Sequence, residues 1–390
     1  MADGAARMQI VGHKRHGKSS VRLLLQPGDG ILPLIKGIGS AKRTVEIVIF
    51  RFDRREIEKE LANAVSRGVS VHALIAHTNR AGEQSLRKLE MRLLAAGVSV
   101  ARTADDLVRY HDKLMIVDRR ELYLLAFNLT YQDIEHSRSF GIITKNRKLV
   151  HEAVKLFDAD TKRHPYEPGF AKFVVSPVNA RKQLSSFIKG AQKELLIYDP
   201  QITDPAIIRL LEERSNAGVS VKIIGRLTRK SAKLVAHKLP HIRLHARTIL
   251  RDGRQAFIGS QSLREAELDA RREVGVIFSD SKAVDLLVKT FRDDWSQTEQ
   301  SNEQGVSEEA TPAAKVAKKV AKAVTKELPP VAPVLDVIVR EMGGDKAGVE
   351  LNAEAVEKTV KDAVKDAVKD VVRDVIEEIA ERKEEMPEPE

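Results

Sequence analysis

Two short segments of the chain carry the same pattern of residues able to act on a phosphate group. HDKLMIVD begins at His111 and HARTILRD begins at His245, so both fit H-x-[K/R]-x4-D. Residues two apart on a β-strand point to one face, so His111 would lie beside Lys113. The same spacing pairs His245 with Arg247. Because imidazoles attack phosphorus or move protons while cations neutralise phosphoryl oxygens, two facing segments would suit one bound phosphate.

The two motifs stand at equivalent places in an internal repeat. IEKELANAVSRGVSVHALI at 57–75 and IIRLLEERSNAGVSVKII at 207–224 align without a gap. Each has a helical period, a glycine at Gly68 or Gly218 that ends the helix, and then a β-rich strand. The chain therefore contains two copies of one structural unit.

This alternation of helix and strand predicts an α/β fold of two lobes related by pseudo-twofold symmetry, each a mixed, mostly parallel sheet flanked by helices. We expect a flexible basic arm over residues 1–20, a first lobe over 21–160 and a second lobe over 161–298. A linker and an amphipathic, partly helical tail should occupy 299–390.

The duplicated motif resembles that of the phospholipase D superfamily of phosphodiesterases, H-x-K-x4-D-x6-G-S-x-N. The first copy continues as LAFN, which keeps the asparagine as Asn128. The second continues as GSQS, which keeps Gly259 and Ser260. Further on, Glu273 in RREVGVIF resembles the trailing acidic position of the family, whereas Ser139 stands there in the first half.

The resemblance covers residues 21–295 and implies a phosphodiesterase that works without a metal or another cofactor. It implies that His111 is the nucleophile, forming a covalent phosphohistidine, and that His245 is the acid–base partner. Lys113 and Arg247 would hold the phosphoryl oxygens. Residues expected to support phosphate binding, imidazole orientation or the surrounding backbone are Asn128, Ser260, Glu273, Asp118 and Asp252.

Departures from the family pattern leave activity and substrate open. Arg247 replaces a lysine with a larger planar fork, and each copy has lost part of G-S-x-N. Three hypotheses follow: a phospholipase D or phosphatidyltransferase, a metal-independent nuclease, and a catalytically impaired phosphate-binding scaffold. An aromatic content of 4% disfavours a base-stacking track, and an amphipathic tail able to lie on a bilayer favours phospholipid.

Charge divides the chain into a basic body and an acidic tail. From Glu299 onward there are 14 Lys and Arg against 22 Asp and Glu, which leaves 52 against 34 in the preceding residues. The basic body predicts a partner that carries phosphates, either phospholipid at a membrane surface or nucleic acid. VKDAVKDAVKDVVRDVIEEI at 360–379 forms an apolar helical stripe, which predicts a helical partner, self-association or a membrane surface.

Several other kinds of protein are disfavoured by the sequence. The chain has no cysteine, which excludes disulfides and thiolate metal sites, and no apolar run long enough for a transmembrane segment. The first residues lack the apolar core of a secretory signal, so we expect a cytoplasmic protein that binds membranes at most peripherally.

GHKRHGKS at 12–19 matches a P-loop pattern but is better interpreted as a basic arm. His237, His241 and His245 are four apart, yet Pro240 interrupts them, so no metal site is predicted.

Overall fold

The chain folds as two halves, each built around a mixed sheet. The computed structural model describes residues 21–77, 83–228 and 233–303. The strands of the first half are β1 (Val21–Gln26), β2 (Thr44–Ile49), β3 (Ser70–Ile75), β4 (Ser99–Arg102), β5 (Arg109–Tyr110), β6 (Leu114–Val117), β7 (Glu121–Leu125) and β8 (Ser137–Thr144). Its helices are α1 (Leu32–Ser40), α2 (Arg55–Ser66), α3 (Glu83–Ala95), α4 (Tyr131–Glu135) and α5 (Arg147–Lys162).

The second half repeats this order of elements, except that its described residues include no counterpart of α3. Its strands are β9 (Phe173–Ser176), β10 (Glu194–Ile202), β11 (Ser220–Leu227), β12 (Val235–His237), β13 (Arg243–Leu244), β14 (Thr248–Arg251), β15 (Gln255–Gly259) and β16 (Arg271–Phe278). Its helices are α6 (Ala180–Lys189), α7 (Pro205–Asn216), α8 (Glu265–Asp269) and α9 (Ser281–Glu303).

The two sheets have equivalent strand orders, β1-β8-β7-β6-β2-β3-β4 and β9-β16-β15-β14-β10-β11-β12. The α/β architecture of two related lobes is thus confirmed. The predicted predominance of parallel pairing is wrong, because antiparallel neighbours outnumber parallel ones in each sheet. Helices α2, α3 and α7 connect the parallel pairs β2-β3, β3-β4 and β10-β11, whereas the motif strands β6 and β14 continue into hairpins.

A tight turn at the last residue of each motif causes this antiparallel pairing. Asp118 and Arg119 both have φ near +50°, and Asp252 (φ 54°) precedes Gly253 (φ 61°). Two successive residues with positive φ make the turn that joins twisted antiparallel strands, and Asp-Gly is a strong sequence signal for it. The motif therefore ends in a hairpin rather than in a crossover.

Each half lends a two-residue strand to the sheet of the other. β5 pairs in parallel with β16, and β13 pairs in parallel with β8. Because the motif histidines directly follow these strands, the exchange carries each histidine to the edge of the opposite sheet. The His111 backbone N–H donates to the Arg272 carbonyl at 2.8 Å, and the His245 N–H donates to the Arg138 carbonyl at 3.0 Å.

A core shared by both halves holds this arrangement. Apolar side chains of both sheets pack with α5 and α9 in one buried cluster, which includes Leu156, Phe140, Tyr198 and Phe291. Separate clusters lie under α1–α3 and under α6–α7. Since burying each large apolar side chain contributes about 1.5–3 kcal/mol, the central cluster fixes how the halves meet.

The last described helix, α9, continues to Glu303, through the first residues of the stretch predicted as a flexible linker. Trp295 is buried and stacks on His237 with ring centroids 4.4 Å apart, and the ring nitrogen Nδ1 of His237 lies 3.0 Å from the Thr298 hydroxyl. These contacts hold the last described part of α9 against β12. The predicted N-terminal arm with its P-loop pattern, and the predicted helical tail after Glu303, lie outside the described residues. None of the helices that the structure describes is both long and apolar enough to cross a membrane.

Candidate active site

His111 is held by a carboxylate from the opposite half. Its Nδ1 lies 2.9 and 3.0 Å from the two carboxylate oxygens of Glu273 on β16. Glu273 is fully buried, and the Ser260 hydroxyl bonds to the backbone of the next residue, accepting from the Val274 N–H at 3.0 Å. A carboxylate at Nδ1 keeps the proton on that nitrogen and leaves Nε2 with its lone pair toward the site. This arrangement suits a nucleophilic imidazole.

His245 lacks the equivalent partner. The residue at the Glu273 position of the first half is Ser139, whose buried hydroxyl has no hydrogen-bond partner among the described residues. The carboxylate nearest to His245 is instead that of Asp133, with Oδ2 3.6 Å from Nδ1. Within the same described part of the chain, Nδ1 of His245 makes no hydrogen bond. The two imidazoles therefore stand in different environments.

Lys113 and Arg247 supply one cation from each half. Lys113 is 2% exposed, and its ammonium donates to the His111 carbonyl. The Arg247 guanidinium donates to the His245 carbonyl at 3.1 Å and to the Ser262 hydroxyl at 3.2 Å. Each cation thus bonds to the backbone of its own motif histidine.

Arg247, which is larger than the lysine of the first half, contacts a residue that is smaller than its counterpart there. Ser262 stands where the first half has Asn128, so the pairs are lysine with asparagine and arginine with serine. The Asn128 amide nitrogen donates to Asp133, whereas its buried Oδ1 has no partner in residues 21–77, 83–228 or 233–303. The guanidinium fork of Arg247 reaches Ser262 directly. The two departures from the family motif therefore accommodate each other.

The electrostatics place both histidines and both cations in one site. Burial lowers the pKa of His111 well below its ordinary value, and the charges of Lys113, Arg247 and His245 lower it further. Burial likewise lowers the pKa of His245, Asp133 opposes that shift, and Arg247 and Lys113 add to it. Charges from both halves act on each imidazole, so the two motifs lie within electrostatic range of each other.

Two further pKa shifts describe the site before an anion binds. Burial lowers the pKa of Lys113 to about 7, against the opposing charge of Glu273. Burial and the nearby Glu267 raise the pKa of Glu273 well above the ordinary carboxyl value. A buried cluster of cations in which Lys113 has a lowered pKa is suited to an anion, because the charge of the anion would favour the protonated form of Lys113.

Asp118 and Asp252 lie at the far ends of the motif strands and hold backbone. The Asp118 carboxylate accepts hydrogen bonds from the backbone N–H groups of residues 42–44, and the Asp252 carboxylate accepts them from residues 192–194. These bonds tie the hairpin after each motif to the start of β2 or β10.

Sequence reasoning missed three residues that shape the site. Asp133 on α4 and Glu267 on α8 occupy equivalent places, and each accepts the backbone N–H at the end of its G-S-x-N segment, at 2.7 and 2.6 Å. Their shared spacing, five residues after Asn128 or Ser262, was a signal that the repeat alignment contained. Phe50 packs edge-on against the His111 ring with centroids 4.5 Å apart, and no motif indicated it.

Comparison with known proteins agrees with this geometry. The family model described as "Cardiolipin synthase, PLD-like domain" matches residues 34–161 and 184–295, one match in each half. The chain belongs to the phospholipase D superfamily. Its members are phosphodiesterases and phosphotransferases, which fits a site of paired histidines and cations. No group of side chains that could hold a metal ion occurs in the portion of the chain described by the structure.

Relatives of known name differ in what they act on. A polyphosphate kinase of Prosthecochloris aestuarii is 25% identical over 305 residues, covering 69% of this chain and 42% of that protein. A mitochondrial cardiolipin hydrolase of Danio rerio is 29% identical over 134 residues, covering 32% of this chain and 56% of that protein. The chain thus spans about half or less of the length of these relatives.

Solved structures share the fold. A polyphosphate kinase from Porphyromonas gingivalis aligns with a TM-score of 0.60 and 17% identity, over 70% of this chain and 50% of that one. A phosphatidylserine synthase from Haemophilus influenzae aligns with a TM-score of 0.56 and 11% identity, over 72% and 86%.

Proposed function

We propose that this protein hydrolyses or transfers phosphodiesters through a covalent phosphohistidine on His111, and that its substrate is a phospholipid. The observation that carries the proposal is the pairing of His111 with Glu273 across the two halves, within electrostatic range of His245 and two cations. The catalytic roles below follow from that geometry.

In the first step, Nε2 of His111 attacks phosphorus and the bond from phosphorus to the leaving oxygen breaks. The imidazole gains positive charge as the P–N bond forms, and the Glu273 carboxylate stabilises that charge through Nδ1–H. Lys113 and Arg247 hold the non-bridging oxygens, so they stabilise the negative charge of the transition state.

His245 moves the protons. A bound phosphodiester is anionic, so its charge opposes the shift that keeps the His245 imidazole neutral. In its protonated form His245 donates to the leaving oxygen, which departs as an alcohol. The neutral imidazole then takes a proton from water or an acceptor alcohol, which attacks phosphorus and breaks the P–N bond. Both histidines return to their starting forms.

A lipid substrate is supported by exposed apolar side chains close to the site. Val108 is 68% exposed and precedes His111 by three residues, and Tyr131 is 56% exposed and follows Asn128 by three. Three residues span at most about 10 Å, so Val108 lies near His111 and Tyr131 lies near Asn128. The description of the matching family model and the name of the cardiolipin hydrolase relative point to the same substrate class.

The test uses three substrate classes in excess chelator: phospholipids with labelled head groups, a labelled oligonucleotide, and inorganic polyphosphate with a nucleotide acceptor. We expect turnover of a phospholipid, reduced at least about 1,000-fold in His111→Asn. His164→Asn, which removes an exposed histidine outside the site, is the matched control. Turnover of the oligonucleotide or of polyphosphate without any lipid would contradict the substrate class. No turnover of any class would favour a phosphate-binding scaffold.

We further propose that the region after Glu303 promotes binding to membranes or to a helical partner, as the apolar stripe at 360–379 predicts. Vesicle sedimentation would compare the full chain with one that ends at Glu303. The expected result is weaker vesicle binding by the shorter chain with unchanged turnover of dispersed lipid. Equal sedimentation of the two would contradict the proposal for vesicles.

A further inference from the structure

On the His245 side of the site, an ion pair between the halves anchors the backbone that holds the histidine. The Arg138 carbonyl accepts the His245 N–H, and the Arg138 guanidinium donates to both carboxylate oxygens of Asp294 on α9, at 2.8 and 2.9 Å. The buried Tyr198 hydroxyl donates to the same carboxylate at 2.7 Å. One positive charge therefore faces one negative charge, and both carboxylate oxygens are hydrogen-bonded.

On the His111 side, the equivalent ion pair is incomplete. Arg272 has the position on β16 that Arg138 has on β8; its carbonyl accepts the His111 N–H, and its guanidinium lies 3.0 Å from one carboxylate oxygen of Asp160 on α5. The other Asp160 oxygen and the Nε of Arg272 are buried and have no hydrogen-bond partner anywhere in the structure's described segments. Val48 stands where the second half has its tyrosine, so the hydroxyl donor is missing.

A second carboxylate, that of Asp112, lies beside this incomplete pair. Asp112 is 1% exposed, and neither of its oxygens has a hydrogen-bond partner among the residues whose placement the structure gives. The charge of Arg272 acts on Asp112, and the charge of Asp112 acts on Asp160. The second half has Ala246 at the position of Asp112. Compared with the His245 side, the His111 side has therefore lost a hydroxyl donor and gained a carboxyl group.

One proton would make the two sides equivalent. An ionised carboxylate only accepts hydrogen bonds, whereas a protonated carboxyl group also donates one. A protonated Asp112 can give Asp160 the hydrogen bond that the tyrosine gives on the other side, and one negative charge then remains to balance Arg272. Without that proton, two buried negative charges face one arginine, which is unfavourable. Burial raises the pKa of Asp112 to about 6, and burial together with the Asp112 charge raises the pKa of Asp160, while Arg272 opposes both shifts.

The other charged and titratable groups around the two aspartates do not supply this donor. They are Arg272, Lys113, Tyr110, Asp106, Tyr166 and Glu152. Both tyrosine hydroxyls already donate to other carboxylates, Tyr110 to Asp106 at 2.7 Å and Tyr166 to Glu152 at 2.6 Å. The Lys113 ammonium donates to the His111 carbonyl. The carboxyl group of Asp112 is therefore the donor that suits Asp160.

We propose that Asp112 acts in its protonated form as a hydrogen-bond donor to Asp160, and that this bond positions His111 through Arg272. Asp112 is a positioning residue, because its carboxyl group acts on the carbonyl that holds His111 and not on the substrate. Loss of the proton weakens the anchoring of Arg272, so activity falls as pH rises. The inference rests on the proposed function in that His111 is the nucleophile.

The test measures kcat for the phospholipid at pH 5.5 and pH 8 in the wild type and in Asp112→Asn. With a pKa of about 6, only about one Asp112 side chain in a hundred keeps its proton at pH 8. We therefore expect the wild-type kcat to fall at least tenfold between the two pH values. The amide of Asp112→Asn donates at every pH, so its fall should be at least fivefold smaller.

Two further variants complete the design. Asp112→Ala cannot donate, so its kcat should lie below that of Asp112→Asn at both pH values. Asp285→Asn, which changes an exposed aspartate on α9, should keep the wild-type pH profile. Cooperative thermal unfolding of each variant shows that it is folded. Equal pH profiles of the wild type and Asp112→Asn, or equal kcat values of Asp112→Asn and Asp112→Ala, would overturn the proposal.

The titration of Lys113 cannot produce the expected result. The negative charge of Asp112 raises the pKa of Lys113, so removing that charge would lower this pKa. A change that acted through Lys113 would therefore move the loss of activity in Asp112→Asn to lower pH. The proposal predicts that the loss moves to higher pH or disappears.

Hydrogen exchange separates a failure of this proposal from a failure of the proposed function. The His111 N–H donates to the Arg272 carbonyl at 2.8 Å, so its protection from exchange reports the anchoring directly. Measured by mass spectrometry with single-amide resolution, the protection factor should fall at least fivefold from pH 5.5 to pH 8 in the wild type but not in Asp112→Asn. Constant protection in the wild type would overturn the positioning role whatever the protein cleaves. The expected protection without turnover of any substrate would show that only the proposed function is wrong.

Discussion

The pairing of Glu273 with His111 makes a quantitative prediction for Glu273→Gln. Glutamine keeps an oxygen that can accept from Nδ1 of His111 but cannot carry the negative charge that a positively charged imidazole favours on Glu273, against the rise in pKa that burial causes. In the first chemical step the imidazole becomes positively charged while its Nδ1 lies 2.9 Å from the carboxylate. With charge centres about 4 Å apart and an effective dielectric constant of about 20, that interaction amounts to roughly 4 kcal/mol.

A loss of about 4 kcal/mol from the transition state corresponds to roughly a 1,000-fold slower step. We therefore expect kcat to fall about 100- to 1,000-fold in Glu273→Gln, with a much smaller change in KM, because the charge acts mainly on the transition state. The assay is rapid-quench measurement of the phosphorylated enzyme in a single turnover. Glu167→Gln, an exposed glutamate in the connection between the halves, is the matched control. A rate for Glu273→Gln within threefold of the wild type would refute the proposed role of this pair.

Three further predictions follow from other residues of the site. Since burial lowers the pKa of Lys113 to about 7, the part of the proton uptake on binding inorganic phosphate that is lost in Lys113→Met should be large at pH 8 and small at pH 6. Calorimetry of both proteins in buffers of different ionisation enthalpy measures this difference, and a difference that does not change with pH would contradict it. Arg247→Lys and Ser262→Asn should each reduce kcat/KM, and the double variant should recover part of the loss. The coupling energy of this double-mutant cycle should be about 1–2 kcal/mol, and strictly additive losses would show that the two positions are independent. Asp112 is buried, and neither of its carboxylate oxygens has a hydrogen-bond partner in the described residues. Burial raises the pKa of Asp112 to about 6, so between about pH 4 and pH 6 the folded state keeps a proton that the unfolded state loses. The free energy of unfolding therefore falls as pH rises through this range. Asp112→Asn should therefore have a larger free energy of unfolding than the wild type, by up to about 3 kcal/mol at pH 8 and by much less at pH 4. Urea unfolding measures this difference, and a difference that does not depend on pH would contradict the account.

The repeat made much of the fold predictable. The helical period and β-rich strand after it predicted the parallel part of each sheet, and the duplicated motif predicted that His111 and His245 would converge. The antiparallel part was missed although Asp252–Gly253 is a hairpin signal, because the helix–strand alternation was extended over the whole lobe. The prediction that the histidine and the cation of each motif lie on a strand is also wrong, because residues 111–113 lie between β5 and β6 and residues 245–247 lie between β13 and β14.

The strand exchange was beyond sequence reasoning. β5 and β13 are two residues long, which is too short for an alternating pattern of apolar and polar residues. Their pairing with the opposite sheets depends on contacts between residues far apart in the chain, such as Arg109 with Arg271. Consequently the sequence indicated Glu273 as a site residue by resemblance, but not which histidine it would hold.

The central claim is that His111 becomes covalently bonded to phosphorus while His245 only moves protons. The most direct measurement is mass spectrometry of peptides from enzyme quenched during turnover, using His245→Asn to slow release of the intermediate. We expect a phosphorus-containing adduct on His111 that is absent from His111→Asn. An adduct on any other residue, or full turnover by His111→Asn, would contradict the account.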